Sequence, residues 1–220
     1  MNELPGFGRP AAPPLAAMTD RGDWSDTVRA QLFERRVVFL SGPLTTDTGG
    51  RCALELMTLD ASGDDAIDLH IDCSDGELDA ALALMDVIEL AGVPVRVSAL
   101  GIVGGPAVGV LAVGAYRTAM PHTRFWLAES SSAFTGHARD VEGWAEHVSA
   151  RADVFCSRLA AAVGQPAERV EADLAVTRFL DAEQAKRYGL VDEILTAGTR
   201  VVHLPPRPMG FGGSVDRRRP

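Results

Sequence analysis

Cysteine is scarce in this chain: Cys52, Cys73 and Cys156 are odd in number, far apart and never paired as C-x-x-C. Neither a disulfide framework nor a zinc site finds support in that spacing. Long apolar runs are missing too. No stretch approaches the 18 or more consecutive apolar residues of a membrane span, and the N-terminus lacks a basic segment followed by an apolar one. The expectation is a cytoplasmic protein without a membrane partner. Basic charge is in deficit, 21 basic residues against 30 acidic, for a net charge of -9. That balance argues against a nucleic-acid partner, and the triplet Arg217-Arg218-Arg219 is too small to reverse it. Lysine is nearly absent, Lys186 standing against 20 arginines, which is a mark of a GC-rich genome rather than of a function.

The most telling absence is local. Gly101-Ile102-Val103-Gly104-Gly105-Pro106-Ala107-Val108-Gly109 links an alternating strand, with Val95, Val97 and Ala99, to a small-residue helix from Val108 to Ala115. Such a turn is a platform for acyl transfer: it exposes one side chain, and the amides at the helix start can face an oxyanion. Here its tip is Gly-Gly-Pro, without Ser, Cys or Thr, and proline has no N–H to offer.

The length suits one α/β domain. Its expected span is residues 25–200, with its ordered part from Ser25 to Thr196, between Pro/Gly-rich tails, read as flexible, at 1–24 and 201–220. Arg36 to Leu40 reads as a strand and Arg51 to Leu59 as a helix. Ala66 to Asp72 alternates as a strand, and an apolar helix runs from Leu78 to Ala91. Pro94 to Leu100 and Arg124 to Leu127 give two more strands, so the units stack as a largely parallel sheet with helices outside. From Arg139 to Val163 a long amphipathic helix carries Val141, Trp144, Val148, Ala152, Phe155, Leu159 and Val163 at steps of three and four. That stripe either packs on its own domain or forms an oligomer seam. Gly164 stops it, Pro166 starts a short helix, and Asp181 caps another from Ala182 to Arg187.

RRVVFLSGPL, IDLHIDCSDGELDAALALMDVI, VGQPAERVEADL and RFLDAEQAKRYGLVDEIL, in that order from about Val28 to Leu195, resemble the proteolytic subunit of Clp protease, ClpP. One change of length is needed, a loss of about two residues near Tyr116-Arg117. The resemblance implies a ClpP/crotonase-like spiral of strand-strand-helix units. It also implies assembly into two seven-subunit rings around a chamber, joined through the long helix as a handle. That favours the seam reading for Val141, Trp144, Val148, Ala152, Phe155 and Leu159.

The family's chemistry is Ser-His-Asp peptide hydrolysis. In register, the nucleophile of its G-x-A-A-S-M-G turn falls on Gly105, the general base after P-N-S-R-V-M-I on Ala128, and the orienting aspartate before R-F-[LM] on Thr177. The two oxyanion amides fall on Gly76, which keeps an N–H, and on Pro106, which has none. Losing one such donor costs about two to three orders of magnitude in rate, and losing a triad member more. Positions that in the family form an apolar pocket for the ATPase partner carry Asp68, His70, Leu90, Ser98, Leu100 and about Thr118. Asp68 and Thr118 weaken a pocket built on aromatic area. The other view of Asp68 and His70 is a solvated strand face.

Ser130-Ser131-Ser132 with His122 or His137 is a substitute pair with no orienter or oxyanion donor in view. Asp72, Asp75 and Asp79 suggest a metal cluster only superficially, and Asp75 and Asp79 fit a helix start. No metal or cofactor is expected. The sequence therefore favours a non-catalytic ClpP-like subunit, in a homomeric or mixed ring with active ClpP paralogues and with doubtful docking of a Clp ATPase. Its competitors are a crotonase-like acyl-thioester-binding protein, lacking an evident acid/base or a site for a CoA phosphate, and a Clp serine peptidase with an unrecognised active site.

Overall fold

The computed structural model describes residues 21–130, 137 and 140–196. It is a mixed α/β fold in which one sheet is flanked by helices. The elements are α1 (Arg21–Phe33), β1 (Val37–Ser41), α2 (Thr46–Ala61), β2 (Ile67–Cys73), α3 (Leu78–Leu90), β3 (Val95–Gly104), α4 (Ala107–Ala112), β4 (Tyr116–Ala119), β5 (Arg124–Leu127), α5 (Val141–Val163), α6 (Ala167–Ala175), β6 (Arg178–Asp181), α7 (Ala182–Tyr188) and β7 (Glu193–Ile194). Strands β1, β2, β3, β4 and β7 lie side by side in that order, each neighbouring pair parallel. Strand–helix–strand connections through α2, α3 and α4 account for the parallel pairing, because a parallel neighbour cannot be reached by a tight turn. None of the described helices is long and apolar enough to cross a membrane.

Strand β3 is the axis of the molecule. Its first half pairs with β4 from Arg96 to Ala99, and its second half pairs with β5 from Ile102 to Gly104. Between the halves the β2 register jumps: Ile71 faces Ala99, but Cys73 faces Val103. The Asp72 carboxylate fills the irregularity by accepting the Ile102 N–H at 2.9 Å. Gly101 makes room for it, since a Cβ there would stand 2.7 Å from Asp72 Oδ1. The sheet thus forks, and β5 runs on to pair antiparallel with β6.

The local signals explain most boundaries. Thr45 and Thr48 form a capping box, which starts α2 at Thr46, one turn and more before the apolar periodicity begins. Gly164 ends α5 and Gly189 ends α7, both in the left-handed region. A Cβ on Gly189 would also stand 2.3 Å from the Val163 carbonyl oxygen, so glycine is required by packing as well as by φ. Helix α1 begins at Arg21, inside the stretch read as a tail, and β4, β6 and β7 are short strands that the apolar pattern does not announce.

The core lies between the sheet and α2 to α5. Leu69, Ile71, Val97 and Ala99 cluster with Leu56, Ala81, Leu84, Met85 and Val108, all essentially inaccessible to solvent. Fully burying one such aliphatic side chain is worth about 1.5–3 kcal/mol. The stripe on α5 divides. Phe155, Leu159 and Val163 are buried in this core, whereas Trp144 and Val148 are half-buried and Val141 and Ala152 are exposed. Only the C-terminal half of the stripe is an internal packing surface, as hydrophobic periodicity alone does not tell the two halves apart. Arg151 and Arg158 brace the helix on α3 through Asp79, Asp86 and Glu89, with contacts of 2.6–2.8 Å.

Candidate functional site

The three positions that the resemblance assigns to a catalytic triad each follow or precede a strand end paired at the open end of the fork. Gly104 pairs with Trp126, and the Gly105 N–H donates to the Trp126 carbonyl at 3.1 Å, so β5 runs alongside the turn. In the antiparallel β5–β6 ladder Leu127 faces Arg178, and one further step of that register sets Ala128 opposite Thr177. Sequence-distant segments therefore bring Gly105, Ala128 and Thr177 to one place. At the nucleophile and base positions Gly105 and Ala128 have no group that can attack or accept a proton, and Thr177 has a neutral hydroxyl where the family has a carboxylate. The backbone keeps the shape of a site: Gly105 has φ +53° and Thr177 φ +54°, a region where a β-branched residue is strained and Asp or Asn is tolerated.

The oxyanion positions are no better supplied. Pro106 has no N–H, and its ring stands at the start of α4. Gly76 has one, but it donates to the Asp75 carboxylate at 2.8 Å. Gly76 is held against Leu44, where an added Cβ would lie 2.6 Å from the leucine's own Cβ. Asp75 Oδ1 also stands 3.0 Å from where a Cβ on Gly105 would be. An acceptor with a negative charge thus occupies the space between the nucleophile position and the remaining oxyanion amide. This corrects the reading of Asp75 as a helix-start acid: α3 begins after Glu77, and only Asp79 lies in its first turn. The spacing of acids could not show this, because the contact is made by the adjacent amide and by a turn some thirty residues away. Asp72 serves the β3 irregularity and Asp79 the Arg151 pair, so the three acids share no centre.

Substitute nucleophiles fare no better. Ser130 donates to the Gly76 carbonyl at 3.2 Å, and among the described residues no histidine contacts it. His122 and His137 are exposed, and Ser131 and Ser132 lie outside the described residues. Cys73 is the nearest thiol by chain, but burial, and then the Asp72 charge, push it up to about 12. Its Sγ points at the Leu40 carbonyl, 3.6 Å away, so it is a protonated core residue rather than a thiolate.

Beside Pro106, Ala128 and Ser130 a cleft of about 670 Å³ opens against α5, walled by Leu78, Trp144, Val148, Phe155 and Leu174. This is the outward-facing half of the α5 stripe. It is the size of a small-molecule or side-chain pocket and is part apolar, part polar.

Three of the positions read for partner docking, His70, Ser98 and Thr118, fall in one row across the sheet. Phe39, His70, Ser98, Thr118 and Glu193 follow one another in register through β1, β2, β3, β4 and β7. Beside them Asp68 takes a two-point hydrogen bond from Arg96 at 2.7 and 2.8 Å, Ser98 and Thr118 share a hydroxyl contact of 2.8 Å, and Tyr116 donates to Glu193 at 2.5 Å. Leu100 is half-buried, and Leu90, at the end of α3, stands 84% exposed. A freely solvated face is ruled out for the two residues so read: His70 is 3% exposed and the Asp68 side chain 14%.

His70 carries a cost that the strand pattern does not reveal. Its Nε2 is buried and has no partner among the described residues, and desolvation lowers its pKa against the opposing pull of Asp68. The folded chain therefore prefers the neutral ring. Stability from this group is complete above the unfolded value of 6.5 and is lost as pH falls from there through the folded value. Thermal unfolding from pH 7.5 to 5 should show a falling midpoint, and His70→Gln should flatten that fall; an unchanged slope would mean that His70 does not set it.

The neighbouring positions at the fork, the stacked strand–helix units and the long α5 are accompanied by one match to a known family. The family model for Clp protease matches residues 20–198, and the chain belongs to that family.

Proposed function

We propose that this chain is a non-catalytic subunit of a Clp protease assembly, placed in a ring beside an active paralogue. Members of the family assemble into rings. One argument supports the reading most: the positions that the resemblance gives to the triad are Gly105, Ala128 and Thr177, next to the paired ends of β3, β5 and β6, and Pro106 lacks an N–H while the Gly76 N–H is taken by Asp75. Loss of a single element would slow an enzyme. Loss of every element at one site, with the surrounding backbone kept, is the pattern of a subunit retained for assembly.

The docking row supports the same reading. Apart from His70 its polar groups are paired, so an apolar loop seated there would meet Asp68–Arg96 and Ser98–Thr118 beside the one aromatic ring of the row, Phe39. The subunit would thus alter which seats of a mixed ring an ATPase occupies. Other cytoplasmic subunits of the same family are the partners proposed.

Co-expression with an active member of the family from the same cell tests this. Native mass should show mixed rings, the isolated chain should hydrolyse no peptide, and incorporation should change the partner's rate. Hydrolysis by the isolated chain that a fluorophosphonate abolishes would overturn the proposal, as would failure to enter any mixed ring.

A further inference from the structure

The acids on and around α5 fall into two groups. Asp79, Asp86 and Glu89 are each matched by Arg151 or Arg158. Glu129, Asp153 and Glu171 line the 670 Å³ cleft, and among the described residues none of them has an ion-pair partner. Among the described residues that line the cleft there is no Arg, Lys or His. The field is felt inside: the Cys156 thiol at the cleft wall is raised first by burial and then by Glu171 and Asp153. Between the acids the walls are apolar, with Trp144, Val148, Phe155 and Leu174. Beside Gly105, the chain neighbour of the lining residue Pro106, stands the Asp75 carboxylate, also without an ion pair among the described residues.

We infer that the polarity of this site is inverted, so that the cleft holds, without cutting, a polypeptide segment carrying an arginine or lysine among apolar side chains. This rests on the reading of the chain as a non-catalytic subunit. Three acids without an ion-pair partner among the described residues, set around apolar walls, attract a cation whose aliphatic stem is itself covered by apolar surface. A neutral segment gains the apolar contact alone, and an acidic one is repelled. In a mixed ring, such a site retains basic stretches of a substrate beside the active subunits. The ligand chemistry differs from that of an oxyanion-binding centre, which needs donors where this site presents acceptors.

The test uses the full chain and two fluorescein-labelled dodecapeptides of Leu, Phe, Gly and Ser. One has a central arginine, and its twin has the neutral isostere citrulline. Fluorescence anisotropy at low salt should give at least a tenfold tighter Kd for the arginine peptide, shrinking as salt rises. Asp153→Asn with Glu171→Gln should abolish that preference while retaining the circular dichroism of the parent. Equal affinities, no binding of either peptide, or a preference that survives in the double variant would overturn the inference. If a second copy of α5 fills the cleft instead, the peptides will not bind, and the inference falls in the same way. The wild-type comparison decides even if the variant fails to fold. Absence of peptide binding with intact mixed rings removes this inference alone, whereas cleavage of the peptide by the isolated chain removes the functional reading beneath it.

Discussion

Gly105→Ser is expected to restore nothing: no fluorophosphonate label on the introduced serine and no hydrolysis above the uncatalysed rate. The hydroxyl would arrive on a backbone at φ +53° with its Cβ 3.0 Å from Asp75 Oδ1. A non-glycine residue in that region costs on the order of 1–2 kcal/mol before any clash. Once in place it would find Ala128 where a base should take its proton, and Thr177 where that base should be oriented. A serine without its base loses about six orders of magnitude in turnover, and each missing oxyanion donor adds two to three for the residual chemistry. Adding Ala128→His and Thr177→Asp supplies the proton path but leaves the oxyanion facing a carboxylate. The same three changes combined with Asp75→Gly and Pro106→Met free the Gly76 N–H and add the second one. Labelling that requires those last two changes would identify Asp75 and Pro106 as the block. Labelling of Gly105→Ser alone would show that the turn is a working elbow and that the site is not dead.

How far the chain's own residues disclose all this varies with the range of the interaction. Strands β1, β2 and β5, helix α3 and the capped α7 are set by neighbours within a few residues, and their periodicity or caps are plain in the sequence. The register that brings Gly105, Ala128 and Thr177 together is legible only through the family motifs, because composition does not specify that Leu127 faces Arg178. Two features escape both kinds of reading. Asp75 looks like a helix-start acid until its carboxylate is placed on the Gly76 amide and against the Gly105 turn. The α5 stripe looks continuous until packing on the neighbouring helices buries Phe155 and Leu159 and leaves Trp144 beside a cleft. In each case the deciding partner is remote in sequence, and the side chain itself is compatible with either environment.

The last strand and the ends of two helices hang on Arg117, and Arg117→Met is expected to be the most destabilising exchange of a surface-facing charge in the chain. The guanidinium donates to the Gly189 carbonyl at 2.8 Å and to the Ala162 carbonyl at 3.2 Å, which are the terminal acceptors of α7 and α5. It also grips Asp192 through two nitrogens, at 2.6 and 3.1 Å, while the Arg117 backbone N–H donates to the same carboxylate. Methionine fills the volume but leaves the carbonyls and a part-buried carboxylate without their donor. Breaking a buried pair from one side costs about 3–5 kcal/mol. With Asp192 about one-third exposed, water recovers part of this, and about 2–3 kcal/mol remains. For a domain of this size that is a fall of about 5–10 °C in Tm. The penalty should depend on pH in a defined direction. Burial raises the Asp192 pKa, but the Arg117 contacts outweigh it and hold the carboxyl below its ordinary 3.8. The parent therefore has this stabilisation in full above 3.8 and loses it as pH falls through the folded value, whereas the variant has none to lose. Tm curves for the two proteins should converge below about pH 4, as far as the carboxylate causes the difference. A gap that stays constant into acid would assign the effect to the carbonyls of α5 and α7 alone.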